Sequence, residues 1–271
     1  MNDHEIRQKI EQYKFYHIIQ LTDQIATPGN PVHLSTQKMV LEEIRKIDLR
    51  GKRVLDIGCR DGLFAFEAEK RGSAEVIGID NDLSKPAVEF LIPFLKSGVK
   101  MFEMNLFDLR PDTFGRFDVV IFAGVLYHLR YPFWALKTIR DVLSNNGKLI
   151  LETAIWSDKS HRALLYCPVE ESPYEPTSCA FFNEKGLCTT LRSFGFEVEA
   201  IQYLSQRESL KGLLRYVGHV GHTLRRRIKE AFVKADIDRG VFTCSFSCDA
   251  VNQQLAQYWE KTHTIHTQIG G

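Results

Sequence analysis

No stretch of the 271 residues has the long uncharged apolar run that a membrane-crossing helix needs, so a transmembrane helix is not expected. Spare charge is also lacking. With 35 basic and 34 acidic side chains the formal charge is +1, which gives no global attraction to nucleic acid, and any such binding would rest on a local patch. Cysteine is scarce and scattered: the six (Cys59, Cys167, Cys179, Cys188, Cys244 and Cys248) form no C-x-x-C pair, which argues against a zinc site or disulfide framework and for free, mostly buried thiols. The histidine pairs His219/His222 and His263/His266 have no carboxylate or cysteine to complete a ligand set, so no metal is expected. The opening MNDHEIRQKIEQYK is charged rather than basic and then apolar, unlike a signal peptide, and a cytoplasmic location is the expectation.

What the chain has is the 44% hydrophobic and 25% charged composition of a globular protein, at a length that suits one sizeable α/β domain with additions. Arg53 to Asp82 organises the rest: Val54-Leu55-Asp56-Ile57 reads as a strand, Gly58 to Gly62 as a glycine turn, Phe64 onward as a helix, and Val76 to Ile79 as a second strand closed by Asp80. Such a unit, with a carboxylate about 20 residues past the turn, suits a nucleoside held through its ribose hydroxyls. Asp56 at the strand end would repel a pyrophosphate but welcome a cationic ligand. The structural alternative is an ordinary βαβ unit whose glycines only let the turn close.

With Asp56, both glycines and Asp80 in place, the stretch resembles the first motif of class I S-adenosylmethionine-dependent methyltransferases. The resemblance implies an α/β, Rossmann-like, seven-stranded, mostly parallel sheet with helices on both faces and an antiparallel last strand. It also implies S-adenosylmethionine as cofactor, with Asp56, Gly58, Gly62 and the turn at its methionine part, Asp80 at the ribose and Asn105-Leu106 at the adenine. The lead-in helix from Ser35 borders the cofactor in such proteins, which makes Lys38 a further cofactor candidate.

The rest of the chain alternates helix and strand, as a parallel sheet covered on both faces requires. Residues 1–50 read as a helical cap and lead-in helix, with Phe15 to Leu21 as a strand or a cover over the site. Residues 51–250 read as the methyltransferase domain, with an aperiodic lid at 155–182 and an amphipathic helical insertion at 208–235, and residues 251–271 as a helical tail. The insertion carries Arg225-Arg226-Arg227, read first as a solvated basic face and second as a phosphate-binding patch.

The segment FDVVIFAGVLYHLRYPFWAL, followed by GKLILET, resembles the tRNA wobble-uridine carboxymethyltransferase family, and the likeness runs over about Thr36 to Phe196. That family uses a carboxylated S-adenosylmethionine, whose extra carboxylate is held by a tyrosine of the V-L-Y-H motif, an arginine beside the last strand and a lysine. Tyr127 matches the tyrosine and Arg239 is a counterpart of the arginine. The lysine's K-G-P-F context is absent and Lys14 is only a loose stand-in. Arg60 stands where the family has a glycine, either to neutralise the methionine carboxylate or to point into solvent.

For the chemistry, His128 is a general-base candidate because imidazole titrates near neutral pH, or else a loop-bonding histidine. Tyr127 and Glu152 join it as catalytic candidates, with Glu152 otherwise fixing the loop after its strand. His161 and Tyr166 in the lid, with Tyr127 and Arg239, are substrate candidates. The leading reading is methyl transfer to oxygen or nitrogen of a small-molecule acceptor. The second is tRNA wobble-uridine methyl or carboxymethyl transfer, with tRNA as partner and the carboxylated cofactor. The third is a non-catalytic cofactor-binding scaffold.

Overall fold

The computed structural model describes residues 1–158, 161–168, 171–207 and 237–258. The insertion at 208–235, with its arginine triplet and first histidine pair, lies outside the described residues, as does the tail beyond 258 with the second pair.

Nine strands form one sheet: β1 (Arg53–Ile57), β2 (Glu75–Asp80), β3 (Lys100–Glu103), β4 (Phe117–Ala123), β5 (Leu143–Trp156), β6 (Leu165–Tyr166), β7 (Phe181–Phe182), β8 (Phe194–Tyr203) and β9 (Ile237–Val251). The seven long strands run in the order β3-β2-β1-β4-β5-β9-β8. Strands β1 to β5 are parallel, while β9 pairs antiparallel with both β5 and β8. This is the expected Rossmann-like sheet with its antiparallel last strand. The two further strands are two-residue pieces inside the segment read as an aperiodic lid, where β7 meets β5 only at Ile155↔Phe182.

The central strands are apolar along nearly their whole length because both faces are covered. The alternation is visible in β1 and β4: Leu55, Ile57, Val120 and Phe122 face one core, and Val54, Val119 and Ile121 the other. On the second face pack α1 (Asp3–Ile10), α2 (Leu34–Lys46) and α3 (Leu63–Lys70). Asn2 starts α1 with a capping box to Glu5, and Ile6 and Ile10 turn inward. Between β2 and β3 a π-helical turn (Ala87–Leu91) runs directly into α4 (Ile92–Leu95), where Pro93 has no N–H to donate to the preceding turn. After α5 (Pro111–Phe114), α6 (Pro132–Val142) and α7 (Glu184–Ser193) cover the first face.

Phe15 to Leu21 is a cover rather than a strand, with a single bridge at Gln20↔Ala26. All six thiols are free, but the expectation that most are buried is corrected: only Cys59 and Cys244 are, while Cys167 and Cys248 are exposed in surface segments.

Candidate functional site

The chain reverses direction across the sheet between β1 and β4, and ligands of open α/β sheets bind in the crevice at such a switch, beyond the carboxyl ends of the strands. A cavity of about 640 Å³ lies there, within the roughly 300–1,000 Å³ of small-molecule sites. Its floor is the β1–α3 turn. Gly58 has φ +76°, and a Cβ on it would stand 2.3 Å from Val125 Cγ2, so only glycine closes this turn against the β4 loop. Gly62 has φ +84°, where a Cβ would meet Met101 Cε at 2.3 Å. Arg60 adopts φ +44° without being glycine.

Asp56 is buried under the turn. One carboxylate oxygen accepts the Ala65 N–H at 3.1 Å and the other has no partner. Burial pushes its pKa up to about 7, against the bond from Ala65. Asp80 ends β2 and lines the cavity, its oxygens accepting the backbone N–H groups of Arg60 (2.9 Å) and Asp82 (3.0 Å). The Arg60 side chain lines the cavity with its guanidinium partly exposed and donating to the Asp82 carboxylate at 2.7 Å. Asn105 and Leu106 line the far wall, and Asn105 caps its short turn by accepting the Phe107 N–H. The donor set fits a cationic amino-acid nucleoside: a glycine cradle, an unpartnered acidic oxygen beneath it, and a carboxylate with lone pairs to spare for ribose hydroxyls.

At the other end a buried cluster surrounds Arg239. Its guanidinium grips Glu152 with two bonds of 2.6 Å each. Its Nη1 donates to the hydroxyls of Tyr127 (3.0 Å) and Tyr174 (2.8 Å). Register explains the pairing: β5 and β9 bring Ala154 opposite Arg239 and Glu152 opposite Val241, so the two side chains share a face two residues apart. Burial alone would lower the guanidinium's pKa, but Glu152 more than reverses this and Arg239 stays charged. Burial raises the pKa of the Tyr127 phenol, with Arg239 opposing, so it does not act as a base at neutral pH. His128 lines the cavity with its Nδ1 3.0 Å from Thr177 Oγ1 and its Nε2 3.6 Å from Glu175. Burial lowers its pKa, against Thr177 and Glu175, so the imidazole is neutral and able to accept a proton.

Three sequence candidates lie elsewhere. Lys38 is exposed on the outer side of α2, and the neighbouring Gln37, about 100° around the helix, is the buried residue that lines the cavity. His161 is exposed, and Tyr166 packs on Trp156 with ring centroids 4.8 Å apart. From the lid it is Tyr174, Glu175 and Thr177 that reach the cluster. Tyr16, His17, His33 and Gln37 also line the cavity, and no motif pointed to them. Tyr16 and His17 lie in the apolar segment read as a strand or cover, and Gln37 on the lead-in helix expected to border the cofactor, whereas nothing in the sequence marked His33.

The methyltransferase domain family matches residues 36–201, more than half of the chain. The chain belongs to that family. Its fold is that of class I methyltransferases. The tRNA U34 carboxymethyltransferase of Campylobacter hominis is 31% identical to this methyltransferase over 170 residues, covering 61% of this chain and 58% of the relative. That of Helicobacter pylori is 31% identical over 170 residues, covering 60% of this chain and 64% of the relative. The chain thus spans about three-fifths of the length of these relatives. The N-terminal domain of EvdMO1, solved with S-adenosylhomocysteine, shares the fold at a TM-score of 0.64 and 17% identity, over 91% of this chain and 98% of that one. The Burkholderia thailandensis 1,6-didemethyltoxoflavin-N1-methyltransferase does so at 0.54 and 16%, over 78% of each chain.

Proposed function

We propose that this methyltransferase transfers a plain methyl group to an oxygen or nitrogen of a small-molecule acceptor. The observation that carries this reading is the state of Arg239. A carboxylated cofactor brings an extra anion beside the methyl carbon and needs an uncompensated cation there. Both arginines lining the cavity are already paired, Arg239 with Glu152 and Arg60 with Asp82. Seating another carboxylate on the buried Arg239–Glu152 pair would put two anions on one guanidinium in a dry site.

The cofactor supplies an electrophilic methyl group on a sulfonium. The chain's residues hold donor and acceptor in line and exclude water. In this reading the β1–α3 turn and Asp80 fix the donor, His128 takes the acceptor's proton as the new bond forms, and Glu175 supports the imidazolium. Glu152 and Tyr127, both engaged by Arg239, are positioning residues rather than bases. Titration with S-adenosylmethionine and with its carboxylated form tests the proposal: at least tenfold tighter binding of the former is expected, and the reverse order would overturn it.

The second reading is wobble-uridine methyl or carboxymethyl transfer on tRNA. It is favoured by the names of the relatives and by the 3.0 Å contact between Tyr127 and Arg239, the two residues that the resemblance would place at the extra carboxylate. Tighter binding of the carboxylated cofactor, with salt-dependent retention of tRNA, would select it.

A further inference from the structure

Buried polar side chains normally find partners, so one left without a partner in the wall of a cavity is placed to meet a ligand there. Two such side chains line the cavity from outside the family's motif. His17 is 3% exposed and its Nδ1 has no partner, and Gln37 is 5% exposed with neither its Nε2 nor its Oε1 partnered.

Each is held in place by its own element. His17 belongs to a strap, residues 15–30, tied to the glycine turn by Asp61. That buried carboxylate accepts the N–H groups of Tyr16 (2.5 Å) and His17 (2.8 Å) with one oxygen and the Ser84 hydroxyl (2.5 Å) with the other. The strap is braced by Thr27, which donates to the His17 carbonyl at 2.6 Å and accepts the Ile19 N–H at 2.8 Å. The His17 ring stands edge-on to Phe64 in the first turn of α3, with centroids 5.7 Å apart. Gln37 projects from the first turns of α2 between the cavity-lining residues Thr36 and Val40.

We propose that His17 and Gln37 bind the amino-acid end of the cofactor, as donors to its carboxylate and, through the Gln37 carbonyl, as acceptor to its ammonium. This rests on the methyltransferase reading. The logic is one of charge and place. His17 sits over the β1–α3 turn, the end of the crevice away from Asn105 and Leu106. Arg239 is locked in its buried pair with Glu152 and Arg60 is paired with Asp82, whereas His17 and Gln37 present vacant polar atoms to the carboxylate. A primary amide with both atoms vacant offers a donor and an acceptor side by side, the complement of a zwitterion. His17 is uncharged at neutral pH, burial having lowered its pKa to about 4 against the pull of Asp61.

The test is calorimetric titration of the full chain with S-adenosylhomocysteine and with 5′-methylthioadenosine, which lacks the amino-acid end. In Q37L and H17F, affinity for S-adenosylhomocysteine is expected to fall at least tenfold and affinity for 5′-methylthioadenosine to change less than twofold. Equal losses for both ligands in Q37L, or unchanged S-adenosylhomocysteine affinity there, would overturn the inference. Q37L alone decides if H17F fails to fold. Wild-type protein that binds neither ligand would overturn both this inference and the reading beneath it, whereas wild-type binding that Q37L leaves intact overturns only the inference.

Discussion

Asp56 and His17 are two buried groups whose titration pulls stability in opposite directions. The Asp56 carboxyl, ordinarily near 3.8, holds its proton to about pH 7 in the folded chain. The unfolded chain therefore binds fewer protons over that window, and stability falls as pH rises through it, by up to roughly 4 kcal/mol. His17, ordinarily near 6.5 and lowered by burial to about 4, does the reverse: stability is lost as pH falls between those values, by up to roughly 3 kcal/mol. D56N keeps an acceptor for the Ala65 N–H and removes the buried acid. Denaturant unfolding of the ligand-free variant should show greater stability than wild type at pH 8, with weakened S-adenosylhomocysteine binding. A variant less stable than wild type at that pH would contradict the account of Asp56. Breaking the other buried charge by E152Q leaves Arg239 uncompensated and should cost about 3–5 kcal/mol in unfolding free energy. The double variant E152Q/R239M should cost less than the sum of the single changes.

At the scale of elements, the sheet was legible because its strands are continuous apolar runs separated by turn residues. The β1–α3 turn was legible because glycine marks positive φ. The strap was not, since what fixes it is Asp61, an acidic residue in a turn whose partners lie 44 and 45 positions earlier in the chain. Lys38 was named from the lead-in helix that borders the cofactor, while the helical phase that turns residue 37 inward shows only once α2 is docked. Glu152 and Arg239 were both named, but their pairing depends on the register of β5 with β9, which spacing cannot give. Gly29 tests the strap directly. A Cβ there would stand 2.2 Å from the His17 carbonyl carbon and oxygen, so G29A must displace the strap where it passes the turn. S-adenosylhomocysteine affinity should drop at least tenfold, while far-UV circular dichroism, set by the sheet and helices, stays unchanged. Unaltered affinity would mean that the strap does not contribute to the site.

For the whole molecule, the site joins parts far apart in the chain: the strap, the β1–α3 turn, the β4 loop, the lid residues 174–177 and the first residues of β9. Ligand binding should therefore stabilise the fold as a unit. At a ligand concentration of 100 Kd the gain is about 2.7 kcal/mol, and the melting temperature should rise by roughly 5–10 °C with S-adenosylhomocysteine and not with NAD. The most direct measurement is mass spectrometry of the nucleosides released when the purified protein is denatured. S-adenosylmethionine or S-adenosylhomocysteine is the predicted finding, and a nicotinamide nucleotide or carboxylated S-adenosylmethionine in their place would contradict the account.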